Sequence, residues 1–179
     1  MNNFTKISNY YNDLVNKYGH NPKSCDYGQA NSQRIKFEVL SAALSYSNKT
    51  VLDIGCGFAD YAVFLKNKFE NINYTGVDIS EQMINHAKKI HPKLDLELKN
   101  VFLTPPTQKY DVVTTNGIFY LLGENAQSLM YDFITKMYSY SNEVVVFNSL
   151  SSWTKQEDQE DGEFYADPLE TLAFCKEIT

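Results

Sequence analysis

Two carboxylates frame a glycine-rich bend in this chain. Asp53 lies two residues ahead of Gly55-Cys56-Gly57, and Asp78 follows the bend by about 20 residues. Glycines let a chain turn sharply and let backbone N–H groups approach a ligand with no Cβ in the way. A carboxylate at the position of Asp78 can accept both ribose hydroxyls of an adenosine. Together these residues point to a nucleoside-bearing ligand.

The sign of the first charge narrows that ligand. A bend that holds a diphosphate would bring it against Asp53, and like charges repel at close range. The third position of the G-x-G-x-x-G pattern is also not Gly here. S-adenosylmethionine has no phosphate and presents an α-ammonium, a carboxylate and a sulfonium, so an acid at Asp53 attracts it. The residues therefore favour S-adenosylmethionine over a dinucleotide.

The elements needed to position these groups are legible as alternating periods. Val51-Leu52-Asp53-Ile54 is a short apolar strand ended by glycines, followed by a helix from Asp60 to Phe69 with Tyr61, Phe64 and Leu65 on one face. A strand at about Asn73–Asp78 leads to Ser80, a good N-cap, and a helix with Met83, Ile84, Ala87 and Ile90 on one side. Leu94, Leu96 and Leu98 alternate as in a half-buried strand, and Tyr110 to Thr115 reads as a fourth. Asn125 to Tyr140 is helical by period, and Val144-Val145-Val146-Phe147 reads as a fifth, fully buried strand. Ahead of them lie a first helix with Phe4, Ile7, Tyr11, Leu14 and Tyr18 on its stripe and a second from about Asn31 to Tyr46. Strands alternating with amphipathic helices imply an α/β, Rossmann-like, doubly wound and mostly parallel sheet with helices on both faces.

The chain's 179 residues are expected to make one domain. Residues 1–48 read as a helical lid or cap, 49–150 as the cofactor-binding core, and 151–179 as an acidic loop and last helix. A net charge of −6 argues against nucleic acid as partner, and no apolar run is long enough for a membrane span. Three separated cysteines without a C-x-x-C pair indicate neither a disulfide framework nor a zinc knuckle, and three scattered His indicate no metal site. With no secretory h-region at the N-terminus, a cytoplasmic protein is expected.

The run from Asp53 to Ala59, with Gly76-Val77-Asp78-Ile79-Ser80, resembles motif I and the acidic loop of class I S-adenosylmethionine-dependent methyltransferases. The resemblance extends over roughly Tyr27 to Leu150. It implies that Gly55, Cys56 and Gly57 back the methionine part of the ligand, that Asp78 binds ribose, and that Ile79 flanks adenine with Met83 packed on the ring. Asn100-Val101 falls where related enzymes bond the adenine edge, and Asn116-Gly117-Ile118 resembles the segment beneath the methyl donor. Tyr27-Gly28 and Ser32-Gln33-Arg34-Ile35-Lys36-Phe37 resemble elements of a small-molecule subgroup, in which Gln33 and Lys36 reach the cofactor carboxylate. Members usually close the sheet with an antiparallel hairpin after a last helix, here Asp167 to Phe174; the chain ends at Thr179, so a shortened sheet lacking that hairpin is expected.

The resemblance implies methyl transfer to an oxygen or nitrogen of a small metabolite, such as a sugar derivative or small phosphorylated compound, by a monomer or homodimer. No strong catalytic signature is present. Tyr11, His20 and Tyr120 are the candidates, each with a packing or surface role as the plain alternative. The acidic run Glu157 to Glu163 reads as a solvated loop, or else as an attractor for a cationic or amine-bearing acceptor. A non-catalytic S-adenosylmethionine-binding module and a nicotinamide-dependent oxidoreductase are the competing functions.

Overall fold

The computed structural model describes residues 3–27 and 30–179; Gly28 of the aromatic-glycine element lies outside the described residues. Helix α1 (Asn3–Tyr18) leads through a 3-10 turn at Pro22–Cys25 to α2 (Ala30–Ser41). There follow β1 (Thr50–Ile54), α3 (Asp60–Lys68), β2 (Asn73–Asp78), α4 (Glu81–Ile90), β3 (Asp95–Leu98), β4 (Tyr110–Thr115), α5 (Ala126–Tyr140), β5 (Ser141–Phe147) and α6 (Pro168–Ile178). The strands form one sheet in the order β3-β2-β1-β4-β5, and every neighbouring pair is parallel. The mostly parallel sheet expected above is thus wholly parallel among the described residues.

Strand alternation divides the core between the two faces. Val51, Val112 and Leu96 pack with Phe37 of α2, Leu65 of α3 and Ile84 of α4. Their neighbours Leu52, Val113 and Val77 pack with Met130, Ile134 and Met137 of α5, with Phe4 of α1 beside them. Each such side chain stabilises the fold by roughly 1.5–3 kcal/mol when fully buried. Coverage on both faces is what lets these strands run apolar without alternation.

Four local expectations are corrected. Strand β5 is not fully buried: it pairs with β4 alone, so as an edge strand it buries Ser141 and Val146 and leaves Val144, Val145 and Phe147 half-covered. At the opposite edge Leu96 is buried but Leu98, on the same face, is 53% exposed, because it is the last residue of a short edge strand paired with β2 alone. Helix α2 stops at Ser41, and Tyr46 is instead buried in the connection to β1, its hydroxyl donating to the Leu40 carbonyl. On α1 the buried residue is Val15, outside the expected stripe, while Tyr18 stays 38% exposed.

The topology opens a crevice where ligands bind in such sheets. Strand β1 leads to α3 on one face and β4 to α5 on the other, so the chains leaving these adjacent strands part above their C-terminal ends. Helix α1 is pinned beside that crevice by polar bonds. Ser8 Oγ donates to the Ile79 carbonyl at 2.8 Å, while Ser80 Oγ and the Gln82 N–H donate to Asn12 Oδ1. Among the described residues no helix is long and apolar enough to cross a membrane.

Candidate functional site

A cavity of about 370 Å³ fills the crevice, lined by the glycine bend, the ends of β2 and β4, and residues of α1 and α2. That volume lies within the range of small-molecule sites. The bend itself depends on glycine. Gly55 has φ +76° and Gly57 φ +54°, and a Cβ on Gly55 would stand 2.5 Å from Ile118 Cγ2. Gly55→Ala is expected to lower stability by about 1–3 kcal/mol, from the left-handed backbone and the clash together. Urea unfolding checks this: adding Ile118→Ala should relieve the clash but not the backbone strain.

The N–H groups of the bend are already bonded within the protein. Those of Gly55 and Cys56 donate to the Val77 carbonyl at 2.8 and 3.1 Å, that of Gly57 to Asp78 Oδ2 at 2.9 Å, and that of Ala59 to the Cys56 carbonyl. The Phe58 N–H bonds the sulfur of Cys25, whose thiol burial nevertheless pushes up to about 12. The bend therefore has the backbone shape of a nucleotide loop without a row of donors facing the ligand.

Asp53 lies beneath the bend and is 2% exposed. Tyr74 donates to its Oδ2 at 2.6 Å, whereas Oδ1 is buried with no hydrogen-bond partner. Burial raises its pKa to about 7, against the opposing Tyr74 bond and with a further push from Asp78. An orphaned buried acceptor is costly, and a donor arriving in the cavity removes that cost. Asp53 also lines the cavity.

Asp78 ends β2 at the next corner. Its Oδ1 accepts from the Ser80 N–H at 2.8 Å and its Oδ2 from Gly57, fixing the carboxylate against the bend. Burial raises its pKa, opposed by the N–H groups of Ser80, Gly57 and Ile79. Each carboxylate oxygen retains lone-pair capacity for a ligand. Ile79, the buried Met83 and the buried Val101 line the same end as an apolar slot. Asn100 borders it, but its side-chain oxygen accepts from the Phe102 N–H at 3.0 Å, which makes it first a turn cap.

At the other end, Gln33 donates to Asp60 Oδ2 at 3.2 Å and Lys36 Nζ sits 4.8 Å from the Tyr27 ring centre. Burial lowers the Lys36 pKa, while Glu163 and Asp26 oppose that shift. A chain of bonds fixes the floor: Asn116 Nδ2 donates to the Tyr27 hydroxyl, Asn148 Nδ2 to Asn116 Oδ1, and the Gly117 N–H to Asn148 Oδ1. Above it the hydroxyls of Tyr11 and Tyr120 meet at 2.7 Å, and Tyr120 donates to Asp26 Oδ2 at 2.8 Å.

Residues 52–137 match the family model described as a methyltransferase domain. The match covers just under half of the chain. The chain is 36% identical over 72 residues to malonyl-(acyl-carrier protein) O-methyltransferase 2 of Ilyobacter polytropus, covering 38% of this chain and 28% of the relative. It is 31% identical over 122 residues to the ubiquinone biosynthesis O-methyltransferase of Hydrogenovibrio crunogenus, covering 64% of this chain and 46% of the relative. Among solved structures, magnesium protoporphyrin IX methyltransferase from Synechocystis with bound S-adenosylhomocysteine shares the fold at a TM-score of 0.76 and 15% identity, over 97% of this chain and 88% of that one. The chain thus spans less than half the length of these curated relatives but most of the structural one.

All the sequence-predicted binding residues line one cavity: Tyr27, Gln33, Lys36, Asp53, Gly55, Cys56, Gly57, Asp78, Ile79, Met83, Asn100, Val101, Asn116, Gly117 and Ile118. Tyr11 and Tyr120 also line it. His20 does not; its Nε2 pairs with Asp60 Oδ1 at 3.1 Å on the outer side, 41% exposed. Asp26 and Asp60 line the cavity without any sequence signal. Asp26 is a single acid in a loop in the left-handed region, and Asp60 reads as an ordinary first-turn acid of α3.

Proposed function

We propose that this chain binds S-adenosylmethionine and transfers its methyl group to an oxygen or nitrogen of a small metabolite. The observation that carries the reading is Asp53 Oδ1, a buried acceptor without a partner at the cavity wall. An α-ammonium supplies the missing donor and the compensating charge. When bound, the cofactor contributes a methyl group already activated on a sulfonium.

The chain's own residues do the holding. Asp78 accepts the ribose hydroxyls, and Ile79, Met83 and Val101 enclose the adenine beside Asn100. Gln33 and Lys36 face the carboxylate of the methionine part, while Asn116-Gly117-Ile118 forms the floor. Helices α1 and α2 act as a cap, with α1 closing the site from above. Fixing an acceptor in line with the methyl group contributes up to roughly 7–11 kcal/mol in favourable cases, so positioning suffices without a dedicated base.

The bend also disfavours a dinucleotide. Its N–H groups are bonded to Val77, Asp78, Cys56 and Cys25, so a diphosphate meets Asp53 and no free donors. Relatives named malonyl-(acyl-carrier protein) O-methyltransferase and ubiquinone biosynthesis O-methyltransferase support a small or carrier-bound acceptor.

Incubating the chain with methyl-labelled S-adenosylmethionine and fractionated metabolite extracts tests the reading. S-adenosylhomocysteine should accumulate in at least one fraction. Saturable cofactor binding with no product across a broad panel would make the chain a binding module instead.

A further inference from the structure

Tyr11, Tyr120 and Asp26 line one end of the cavity, and Tyr10, outside the lining, joins them through Asp26. Tyr10 and Tyr120 both donate to Asp26 Oδ2, at 2.9 and 2.8 Å. The single hydroxyl hydrogen of Tyr120 is thereby committed, so in the 2.7 Å Tyr11–Tyr120 contact Tyr11 must be the donor. All three phenol hydrogens are used inside the cluster. What Tyr11, Tyr120 and Asp26 then offer a ligand is lone pairs.

Glu163 adds a second acid at the same end. It lines the cavity, accepts from the Tyr165 hydroxyl at 2.6 Å, and is held beside Tyr120 because the Phe164 N–H donates to the Tyr120 carbonyl at 2.8 Å. Backbone strain marks the cluster too, since Asp26 caps the 3-10 turn at φ 58°, a conformation disfavoured for a residue with a Cβ. Its chain neighbour Tyr27 is bonded to the cavity floor.

From this count of donors we infer that Tyr11, Tyr120, Asp26 and Glu163 form an acceptor subsite selective for an amine-bearing small molecule. The inference rests on the methyltransferase reading above and names the substrate class it left open. A group rich in N–H donors and positive charge satisfies these lone pairs. A carboxylate or phosphate ester meets acceptors and like charge here, with no hydrogen of Tyr11 or Tyr120 left for it; Lys36, the cation lining the same cavity, faces the methionine carboxylate in the reading above. Asp26 is exposed at the cavity mouth, so a proton shed by a bound ammonium has a route to water.

The test uses the full chain saturated with S-adenosylhomocysteine. A fragment set with equal numbers of primary amines, alcohols, carboxylates and phosphate monoesters on matched carbon skeletons is titrated by ligand-observed NMR. Binding of S-adenosylhomocysteine itself is measured first, so its absence reports failure of the cofactor reading alone. With the cofactor product bound, amines should dominate the hits. Asp26→Asn, which keeps the left-handed turn accessible, should weaken them about 10–100-fold while leaving S-adenosylhomocysteine affinity unchanged. Tyr120→Phe, which removes one acceptor oxygen, should weaken them by a smaller factor. Hits dominated by anions, no hits in any class, or amine affinities indifferent to Asp26→Asn would overturn the assignment.

Discussion

Asp78→Ala is expected to weaken S-adenosylmethionine binding by at least about 100-fold. Two effects add. In the proposed site the side chain accepts from both ribose hydroxyls, and hydrogen bonds to a charged partner are worth roughly 1.5–3 kcal/mol each. The same carboxylate accepts from the N–H groups of Gly57 and Ser80, so its removal also frees the bend and the start of α4. Asp78→Asn separates them. Its amide oxygen can still accept from one of these N–H groups, so the fold should stay closer to wild type, while one ribose acceptor becomes a donor and affinity remains well below normal. Isothermal titration with S-adenosylhomocysteine, alongside thermal unfolding of each variant, reads the two contributions. Unchanged affinity in the Ala variant would remove Asp78 from the site.

Asp53→Asn is the second large expectation, and its signature is a pH dependence. The pKa of Asp53 is raised from its ordinary 3.8 to about 7, because burial penalises the charged form. In the ligand-free protein this group therefore contributes stability that is fully present below about pH 4 and is lost as pH rises through 7. Ligand binding has the opposite sign. The ammonium pairs with the ionised carboxylate, so affinity should climb between about pH 5.5 and 7.5, and by reciprocity the bound ligand lowers the pKa of Asp53. An amide in place of this carboxyl cannot titrate. Asp53→Asn should thus flatten both trends, weaken binding about 10–100-fold near pH 7.5, and stabilise the empty protein there. Tyr74 can still donate to the amide oxygen, so the fold should persist. Unfolding midpoints and titrations across this interval check both slopes.

Residues close in sequence carry most of what is legible without the fold. The bend from Asp53 to Ala59 and the acid Asp78 are separated by one helix and one strand, so their spacing alone defines a βαβ unit. The ionisation of Asp53 is not legible in the same way. Sequence shows an anion; only the folded surroundings show an acid near neutrality, with one oxygen held by Tyr74 and the other without a partner. The acceptor cluster is hidden for a different reason: Tyr11, Asp26 and Tyr120 come from α1, a loop and the segment after β4, and no period relates them. Apolar period likewise cannot tell that Val144 and Val145 lie on an edge strand, because strand order is a tertiary property. A solitary imidazole makes His20 a candidate base by sequence, yet it is held by Asp60 and does not itself line the cavity.

The most direct measurement is a paired calorimetric titration of the full chain at pH 7.5 with S-adenosylmethionine and with NAD. The charge of Asp53 and the bonded N–H groups of the bend predict saturable one-to-one binding of the sulfonium compound and no measurable heat with the dinucleotide. Tight uptake of NAD, or indifference to both, would contradict the account at its root.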